Sequence, residues 1–137
     1  AVKRVRRDKL LLGIPFYGRE WTEANGKVVS RSLASTDLSP LLTRPGIELQ
    51  WDQRWRAPWF QYREGTEVRT VWFDDRRSFA EKLQLVRLYR LRGLAAWRLG
   101  PEDPQFWPLA EALAKALATK APRALRNPFQ ARTKNSP

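Results

Sequence analysis

Two short, unbroken apolar runs stand out along the chain and predict strands that are buried on both faces. The first run covers Leu10–Phe16 and the second covers Leu94–Trp97. Continuous apolar runs of this length are typical of parallel strands, because helices cover both faces of a parallel sheet. Pro15 lies near the end of the first run, where the loss of a hydrogen-bond donor from the sheet costs least.

Residues 21–73, between these runs, have the pattern of a small antiparallel unit. The pair Asn25-Gly26 predicts a tight turn between two strands. Thr36–Leu42 predicts a short helix with Ser35 or Thr36 as its N-cap. Three strand-like runs linked by short loops follow, at Ile47–Trp51, Ala57–Tyr62 and Glu67–Phe73.

Two amphipathic helices are predicted, one on each side of the second apolar run. Ser78 and Glu81 have the spacing of a capping box at the start of the first helix, and Gly93 is expected to end it as a C-cap. The second helix is expected from Gln105 to about Thr119. Apolar residues three or four apart predict the buried faces, namely Phe79, Leu83, Val86 and Tyr89 in the first helix and Phe106, Leu109, Leu113 and Leu117 in the second.

The order of these elements is typical of parallel α/β architecture with an inserted α+β segment. Two parallel strands alone do not make a sheet that is covered on both faces, and a (β/α)8 barrel needs about 250 residues. The chain has 137 residues, begins with Ala and contains no Met. We therefore interpret it as a piece of a longer polypeptide; the alternative is that it folds around the antiparallel unit alone.

The composition removes whole classes of chemistry. The sequence contains no Cys, His or Met, which excludes disulfides, thiolate or imidazole metal sites, cysteine nucleophiles and Ser-His triads. It also lacks a glycine-rich phosphate loop and acidic residues at metal-binding spacing. We expect no metal and no cofactor, which leaves carboxylates, hydroxyls, basic side chains and an aromatic set with 7 Trp.

The net charge of +12 invites comparison with nucleic-acid-binding proteins, so its distribution matters. Residues 1–19 carry six basic side chains and one acidic, residues 120–137 carry five basic and none acidic, and residues 20–119 have a net charge of only +2. A nucleic-acid-binding domain concentrates positive charge on its folded body. We expect no nucleic-acid partner and a disordered basic tail at 120–137, with nucleic-acid binding as the second alternative function.

No segment predicts a membrane span, because the longest apolar run, Leu10–Tyr17, is far shorter than the ~20 residues that a span needs. The basic residues before this run resemble the start of a secretory signal. Arg19, Glu20 and Trp21 follow at once, however, and no cleavage site of small residues is present. We therefore expect no signal peptide in this chain.

Two aromatic side chains are predicted at the ends of the buried strands. Tyr17 follows the first strand and Trp97 ends the second, so both would project into one mouth if the strands belong to a barrel. An indole is broad and rigid and suits the apolar face of a pyranose ring; the alternative is that Trp97 packs in the core. Glu102-Asp103 also follows a strand end, whereas Asp74-Asp75 fits the start of a helix.

The motifs of the chain resemble, in the same order, those of glycoside hydrolase family 18, the chitinase-like family. Lys9–Trp21, which reads KLLLGIPFYGREW, is similar to the seventh barrel strand of that family. Ile47–Tyr62 resembles its small insertion domain, while Val71–Asp75 with Ser78 and Lys82, and Leu91–Gly100, resemble the run into the eighth strand and its Trp. The resemblance covers about residues 3–118 and is nearest the bacterial branch of spore-cortex and cell-wall glucosaminidases.

The resemblance implies the C-terminal portion of a (β/α)8 TIM barrel, strands seven and eight, with a chitinase-type insertion domain. Residues 1–20 would hold strand seven and its approach, and residues 21–73 the insertion domain. Residues 74–119 would form the last helix, strand and helix, and residues 120–137 the tail. The N-terminal part of the barrel is then an implied partner.

The resemblance also implies candidate contacts with a sugar. In this family the Trp of strand eight forms the floor of the subsite beside the scissile bond, and Trp97 matches it. Tyr17 and Arg19 match the rim that follows strand seven. The insertion forms one wall of the groove, so Trp21, Asp52 and Trp59 are further candidates; the alternative is that the two Trp residues pack in the core of the small unit.

The activity implied for the parent protein is hydrolysis of β-linked N-acetylglucosamine polymers, either peptidoglycan or chitin, at a spore, at the cell envelope or outside the cell. One Glu protonates the leaving oxygen while the acetamido group of the substrate attacks the anomeric carbon, so hydrolysis is retaining and substrate-assisted. The Asp-x-x-Asp-x-Asp-x-Glu segment that carries this Glu and the Tyr-Asp pair of strand six have no counterpart here. We expect no catalytic residue in this chain and no activity from it alone; the alternative function is a non-catalytic carbohydrate-binding module.

Overall fold

The computed structural model describes residues 2–24, 26–100 and 102–120, which form two β-sheets and three α-helices. In chain order the elements are β1 (Leu11–Pro15), β2 (Gly18–Ala24), β3 (Lys27–Leu33), α1 (Ser35–Leu42), β4 (Gln50–Asp52), β5 (Ala57–Glu64), β6 (Glu67–Trp72), α2 (Arg76–Leu88), β7 (Gly93–Trp97) and α3 (Phe106–Lys120). β1 and β7 make a two-stranded parallel sheet. The other five strands make an antiparallel sheet in the order β3-β2-β6-β5-β4.

The parallel sheet is built from the two apolar runs, as the sequence predicts. Its register pairs Leu11 with Gly93 at one end and Pro15 with Trp97 at the other. The backbone N–H of Phe16 donates to the carbonyl of Trp97 over 2.7 Å and extends this pairing by one residue. The two strands therefore end side by side.

Helices α2 and α3 cover one face of the parallel sheet. The buried core there contains Ile14, Phe16, Phe79, Leu83, Val86, Phe106 and Leu113. The Phe106 ring meets Phe16 and Phe79 edge-on, with centroids 4.6 Å and 4.8 Å apart. On the opposite face Leu11 and Trp97 are 53% and 72% exposed, so this sheet is covered on one side only by the described residues.

The N-cap of α2 lies three residues before the predicted one. Asp75 is the N-cap, and its carboxylate accepts a hydrogen bond of 2.8 Å from the N–H of Ser78. The Ser78 hydroxyl accepts in return from the N–H of Asp75 over 2.9 Å. Glu81 instead forms an ion pair with Arg56 at 3.5 Å. Ser78 is therefore the third residue of the helix rather than its cap.

The end of α2 also differs from the prediction. The helix stops at Leu88, and Arg90 turns the chain with a φ of 52°. Gly93 is the first residue of β7 and not a C-cap. Tyr89 follows the helix and is 42% exposed, so it lies outside the buried stripe of Phe79, Leu83 and Val86.

The antiparallel sheet packs its inner face against α1. Its core contains Leu33, Leu38, Leu41, Phe60, Tyr62, Val71 and Phe73. The sheet begins at Gly18, so the boundary expected after residue 20 falls inside β2. The hairpin expected at Asn25-Gly26 joins β2 to β3, with Ala24 opposite Lys27, although Asn25 itself lies outside the described residues.

Two elements of this unit are shifted from their predicted positions. The strand expected over Ile47–Trp51 is β4, which starts only at Gln50. Helix α1 starts at Ser35 with Ala34 as its N-cap, whereas the sequence favoured Ser35 or Thr36. The carboxylate of Asp37 accepts a hydrogen bond of 2.8 Å from the N–H of Ala34, which stabilises the helix start without a capping side chain.

Gly18 has closer neighbours than any other described glycine. A Cβ atom at this residue would lie 3.1 Å from the carbonyl oxygen of Trp72 and 3.2 Å from the Cβ of Phe73. It would also lie 3.3 Å from a methyl group of Leu38 in α1. These distances are shorter than ordinary van der Waals contact, so the close approach of β2 to β6 and α1 depends on a residue without a side chain.

The tail expected at 120–137 lies almost wholly outside the described residues; only Lys120 is included, as the last residue of α3. Along the described part of the chain, no helix has the length and apolar character needed to cross a bilayer.

We predict that Phe106→Ala lowers the free energy of unfolding by about 3–5 kcal/mol, because it opens a cavity among three packed rings. Phe106→Leu should cost about 1 kcal/mol and keep the fold measurable. Leu88→Ala on α2 is the control and should change little, because Leu88 is 69% exposed. Urea denaturation followed by circular dichroism measures all three; equal losses for Phe106→Ala and Leu88→Ala would contradict the packing described.

Candidate glycan-binding cleft

A cleft of about 410 Å³ lies where the parallel sheet meets the antiparallel sheet. Tyr17 and Arg19 reach it from the end of β1 and the start of β2, and Trp97 reaches it from the end of β7. Its remaining lining residues are Ser32, Leu33, Ala34, Asp37 and Arg98. The structure therefore brings together Tyr17, Arg19 and Trp97, three of the six residues singled out in the sequence.

Trp97 is the most exposed aromatic side chain of the cleft. Its side chain is 72% exposed, which rules out the alternative that it packs in the core of the described residues. The peptide bond between Trp97 and Arg98 is cis. A rigid indole with an open face at the end of a strand offers a flat apolar surface beside polar groups, which is the chemistry needed to stack on a sugar ring.

Arg19 and Tyr17 form a second part of the cleft. The guanidinium carbon of Arg19 lies 5.8 Å from the centre of the Tyr17 ring, which is within the range of a cation–π contact. Arg19 also donates a hydrogen bond to the hydroxyl of Ser30 over 3.5 Å, on the neighbouring strand β3. These contacts orient the guanidinium along the cleft wall.

A row of polar and aromatic side chains continues from the cleft across the outer face of the antiparallel sheet. The register places Ser32, Arg19, Trp72, Trp59 and Gln50 opposite one another on β3, β2, β6, β5 and β4. Residues directly opposite in antiparallel strands share a face. The rings of Trp59 and Trp72 stack at 5.6 Å with an interplanar angle of 16°.

Trp72 is a residue of this row that the sequence analysis did not single out. Trp59 and Trp72 are half-buried, while their strand neighbours Phe60 and Val71 are fully buried on the other face. In the sequence, the alternation of outer-face Trp and inner-face apolar residues in β5 and β6 indicates which face each Trp occupies. That Trp59 and Trp72 lie next to each other follows only from the register between the two strands.

Trp21 and Asp52 lie outside the cleft. Trp21 is on the outer face of β2, opposite Thr70, and is 41% exposed. Asp52 lies at the end of β4, where its carboxylate accepts hydrogen bonds from the N–H groups of Arg54 and Trp55 over 2.8 Å and 2.6 Å. Asp52 therefore stabilises the turn into β5.

The inner face of β2 carries a buried carboxylate. Glu20 is 2% exposed and accepts hydrogen bonds from Arg31 at 2.7 Å, Arg69 at 2.9 Å and the Tyr62 hydroxyl at 2.5 Å. Burial alone would raise the pKa of Glu20, but the bonds from Arg31, Tyr62 and Arg69 together lower it to about 2. Burial and the Glu20 carboxylate raise the pKa of Tyr62. Since Glu20 and Arg19 are adjacent, this cluster holds the strand that carries one wall of the cleft.

The acidic pairs lie away from the cleft. Asp74 forms an ion pair with Lys82 at 2.5 Å, and Asp75 caps α2. Glu102 and Asp103 line a separate groove of about 700 Å³ between α1 and the start of α3. Within residues 2–24, 26–100 and 102–120, groups of three or more metal-binding side chains do not occur.

Comparison with known proteins settles the family. The sequence model of the glycosyl hydrolases family 18 matches residues 2–102. The chain belongs to this family. The resemblance seen in the motifs is thereby confirmed, and the structural matches show a fold related to the TIM barrel of the family.

Relatives on the spore cortex-lytic branch match the chain well. The cortical fragment-lytic enzyme of Bacillus subtilis is 31% identical over 110 residues, which are 78% of this chain and 26% of that protein. The crystal structure of the Bacillus megaterium spore cortex-lytic enzyme SleL superposes with a TM-score of 0.73 at 32% identity, covering 80% of this chain and 26% of that one.

A chitinase from Chromobacterium violaceum gives a TM-score of 0.70 at 33% identity, covering 83% of this chain and 35% of that chain. The chain thus spans only about a quarter to a third of the length of these relatives.

We predict that Glu20→Gln lowers the free energy of unfolding by about 3 kcal/mol, because it leaves two arginines without their buried partner. The folded pKa of Glu20 is depressed from 4.5 to about 2, so its stabilisation is present above pH 4.5 and is lost as the pH falls towards 2. Denaturation curves from pH 6 to about pH 2 should converge for the wild type and the variant at the acidic end.

Glu111→Gln is the matched control for this experiment. Glu111 pairs with Lys115 on the surface of α3, where both side chains are at least 67% exposed. We expect this change to cost under about 0.5 kcal/mol at any pH. A gap between the wild type and Glu20→Gln that stays constant down to pH 2 would contradict the ionised state of Glu20.

Proposed function

We propose that this chain supplies one side of the substrate cleft of a glycosidase that hydrolyses β-linked N-acetylglucosamine polymers, either peptidoglycan or chitin. The observation that carries the proposal is the exposed indole of Trp97, which faces a cleft shared with Tyr17 at the ends of two parallel strands. Membership of family 18 supports it, as do relatives named as a cortical fragment-lytic enzyme and a chitinase. The spore or the cell envelope is the matching location.

In this proposal β1 and β7 are strands seven and eight of a (β/α)8 barrel, and the insertion domain expected at residues 21–73 extends back to Gly18, where β2 begins. Helices α2 and α3 lie on the outer side of the strands, and the side with Leu11 and Trp97 faces the barrel interior. The other barrel strands come from polypeptide outside this sequence. The exposure of Leu11 and Trp97, on the face of the parallel sheet opposite α2 and α3, supports this arrangement.

Each cleft residue then has a role set by its chemistry. Trp97 forms the floor on which one sugar ring stacks, and Tyr17 with Arg19 forms the rim. Trp59 and Trp72 extend the wall, since their row leads into the cleft through Arg19. Trp21 lies two residues beyond Arg19 on the same face of β2, farther from the cleft. Asp52 contributes only by stabilising the turn between β4 and β5.

The chemical step needs a proton donor that this chain does not supply. In substrate-assisted hydrolysis a Glu protonates the leaving oxygen while the acetamido oxygen of the substrate attacks the anomeric carbon. The acidic motif that carries such a Glu is absent from the sequence, and Glu20, the most buried carboxylate described, is tied to two arginines. The chain on its own therefore binds glycan and does not cleave it.

A second candidate function is carbohydrate binding by the antiparallel sheet itself. The stacked pair of Trp59 and Trp72 on its outer face favours this alternative. The two functions differ in which indole dominates the affinity. Trp97 dominates in the barrel cleft, whereas Trp59 dominates in a binding module.

We predict that Trp97→Ala weakens binding of the N-acetylglucosamine tetramer about tenfold, equivalent to about 1.4 kcal/mol, and leaves the melting temperature unchanged because the side chain is exposed. Titration calorimetry measures the affinity. Trp55→Ala is the control, since Trp55 is 65% exposed and lies outside the cleft. A larger loss with Trp59→Ala than with Trp97→Ala would favour the binding module instead.

We predict no hydrolysis when the 137-residue chain is incubated alone with N-acetylglucosamine tetramer or hexamer. Products are followed by mass spectrometry, with a complete family 18 chitinase as the positive control. Release of dimer or monomer above the rate in buffer would show that a proton donor exists within this chain, which would refute its assignment as a binding part only.

A further inference from the structure

Two guanidinium groups line the cleft that holds Tyr17 and Trp97. Arg19 and Arg98 both reach it, and the carboxylate of Asp37 is the only acidic group on its wall among the described residues. That carboxylate already accepts a hydrogen bond from the N–H of Ala34 at the start of α1. The cleft therefore presents more positive than negative charge.

Neither guanidinium is neutralised by a neighbour in the part of the chain that the structure describes. The ion pairs found there involve other arginines and lysines, and none includes Arg19 or Arg98. Among the hydrogen bonds and cation–π contacts of the described residues, those of the Arg19 side chain are with the Ser30 hydroxyl and the Tyr17 ring. Both groups keep donors free to bind an anion.

Each arginine is close in sequence to one of the two aromatic residues of the cleft. Arg98 directly follows Trp97 at the end of β7, and Arg19 is two residues beyond Tyr17 at the start of β2. A saccharide stacked on the Trp97 ring would share the cleft with both guanidinium groups. The cleft therefore combines a stacking surface with charged hydrogen-bond donors.

A neutral N-acetylglucosamine polymer offers only hydroxyl and amide groups to these arginines. Guanidinium groups bind carboxylates through paired, charge-assisted hydrogen bonds that are stronger than neutral ones. In peptidoglycan every second sugar carries a lactyl group, which ends either in a free carboxylate or in a stem peptide with its own carboxylates. Chitin carries neither.

We propose that Arg19 and Arg98 make this cleft selective for N-acetylglucosamine glycans that bear carboxylates over neutral chitin. This inference rests on the proposed glycan-binding function and narrows its substrate class. The net charge of +12 would attract any anion, so the experiment must separate the cleft arginines from the overall charge.

The experiment measures the affinity of the whole chain for three soluble tetrasaccharides by titration calorimetry. They are the N-acetylglucosamine tetramer, a peptide-free alternating tetrasaccharide with free lactyl carboxylates, and the same tetrasaccharide with stem peptides. We expect at least one carboxylate-bearing ligand to bind about tenfold more tightly than the neutral tetramer, since one charge-assisted hydrogen bond is worth about that factor. The ligand that gains identifies the lactyl group or the peptide as the source of the carboxylate.

Variants then test which arginines cause the preference. Arg98→Gln and Arg19→Gln should each reduce the affinity ratio between charged and neutral ligands by several-fold, and the double variant should bring it close to one. Arg87→Gln on α2 removes the same charge from an exposed position outside the cleft and should leave the ratio unchanged. Raising the salt concentration from 50 mM to about 500 mM should lower the wild-type ratio, because exposed charges are screened.

The outcomes separate this inference from the proposed function. Equal affinity of the wild type for charged and neutral ligands overturns the selectivity and leaves glycan binding intact. A ratio that falls as much in Arg87→Gln as in Arg98→Gln also overturns it, because overall charge would then explain the preference. Failure of all three ligands to bind overturns the proposed function itself.

Discussion

The parallel pairing of β1 with β7 is the interaction on which the rest of the structure depends. The two strands lie near opposite ends of the described chain, and the whole antiparallel sheet is inserted between them. Their register sets Pro15 opposite Trp97, so the residues that follow β1 and those that end β7 emerge at one edge. A shift of β7 by one residue would turn Trp97 towards the helices and Ala96 away from them. The cleft is thus a direct result of strand register.

Strand β2 couples the stability of the inserted sheet to the cleft. Successive side chains of a strand point to opposite faces, so Arg19 faces outward while Glu20 faces the core. The hydrogen bonds of Glu20 to Arg31, Arg69 and Tyr62 tie β2 to both neighbouring strands and to β5. The outer surface therefore owes its shape in part to a polar cluster around a buried carboxylate.

The sequence predicts the two parallel strands because their apolar runs are unbroken, and the helices α2 and α3 because their apolar residues recur every three or four positions. Tyr17 and Trp97 were also recognisable, since a strand end is readable from one segment alone. The cap of α2 was misplaced because Asp75 and Ser78 both suit an N-cap and only packing chooses between them. The sequence analysis did not single out Trp72 and Arg98 as candidate site residues. Their neighbours are set by the pairing of strands that are distant in sequence, and local sequence patterns do not contain that pairing.

Gly18 shows that the geometry of the cleft wall depends on close packing between β2, β6 and α1. The main-chain oxygen of Trp72 and the Cβ of Phe73 cannot retreat as a flexible side-chain tip could. An alanine Cβ at residue 18 would therefore require β2, β6 or α1 to shift by a few tenths of an ångström, and the first turn of α1 borders the cleft. The spacing of the elements that form the cleft wall is in this sense determined by the absence of a side chain, at a residue that does not itself line the cleft.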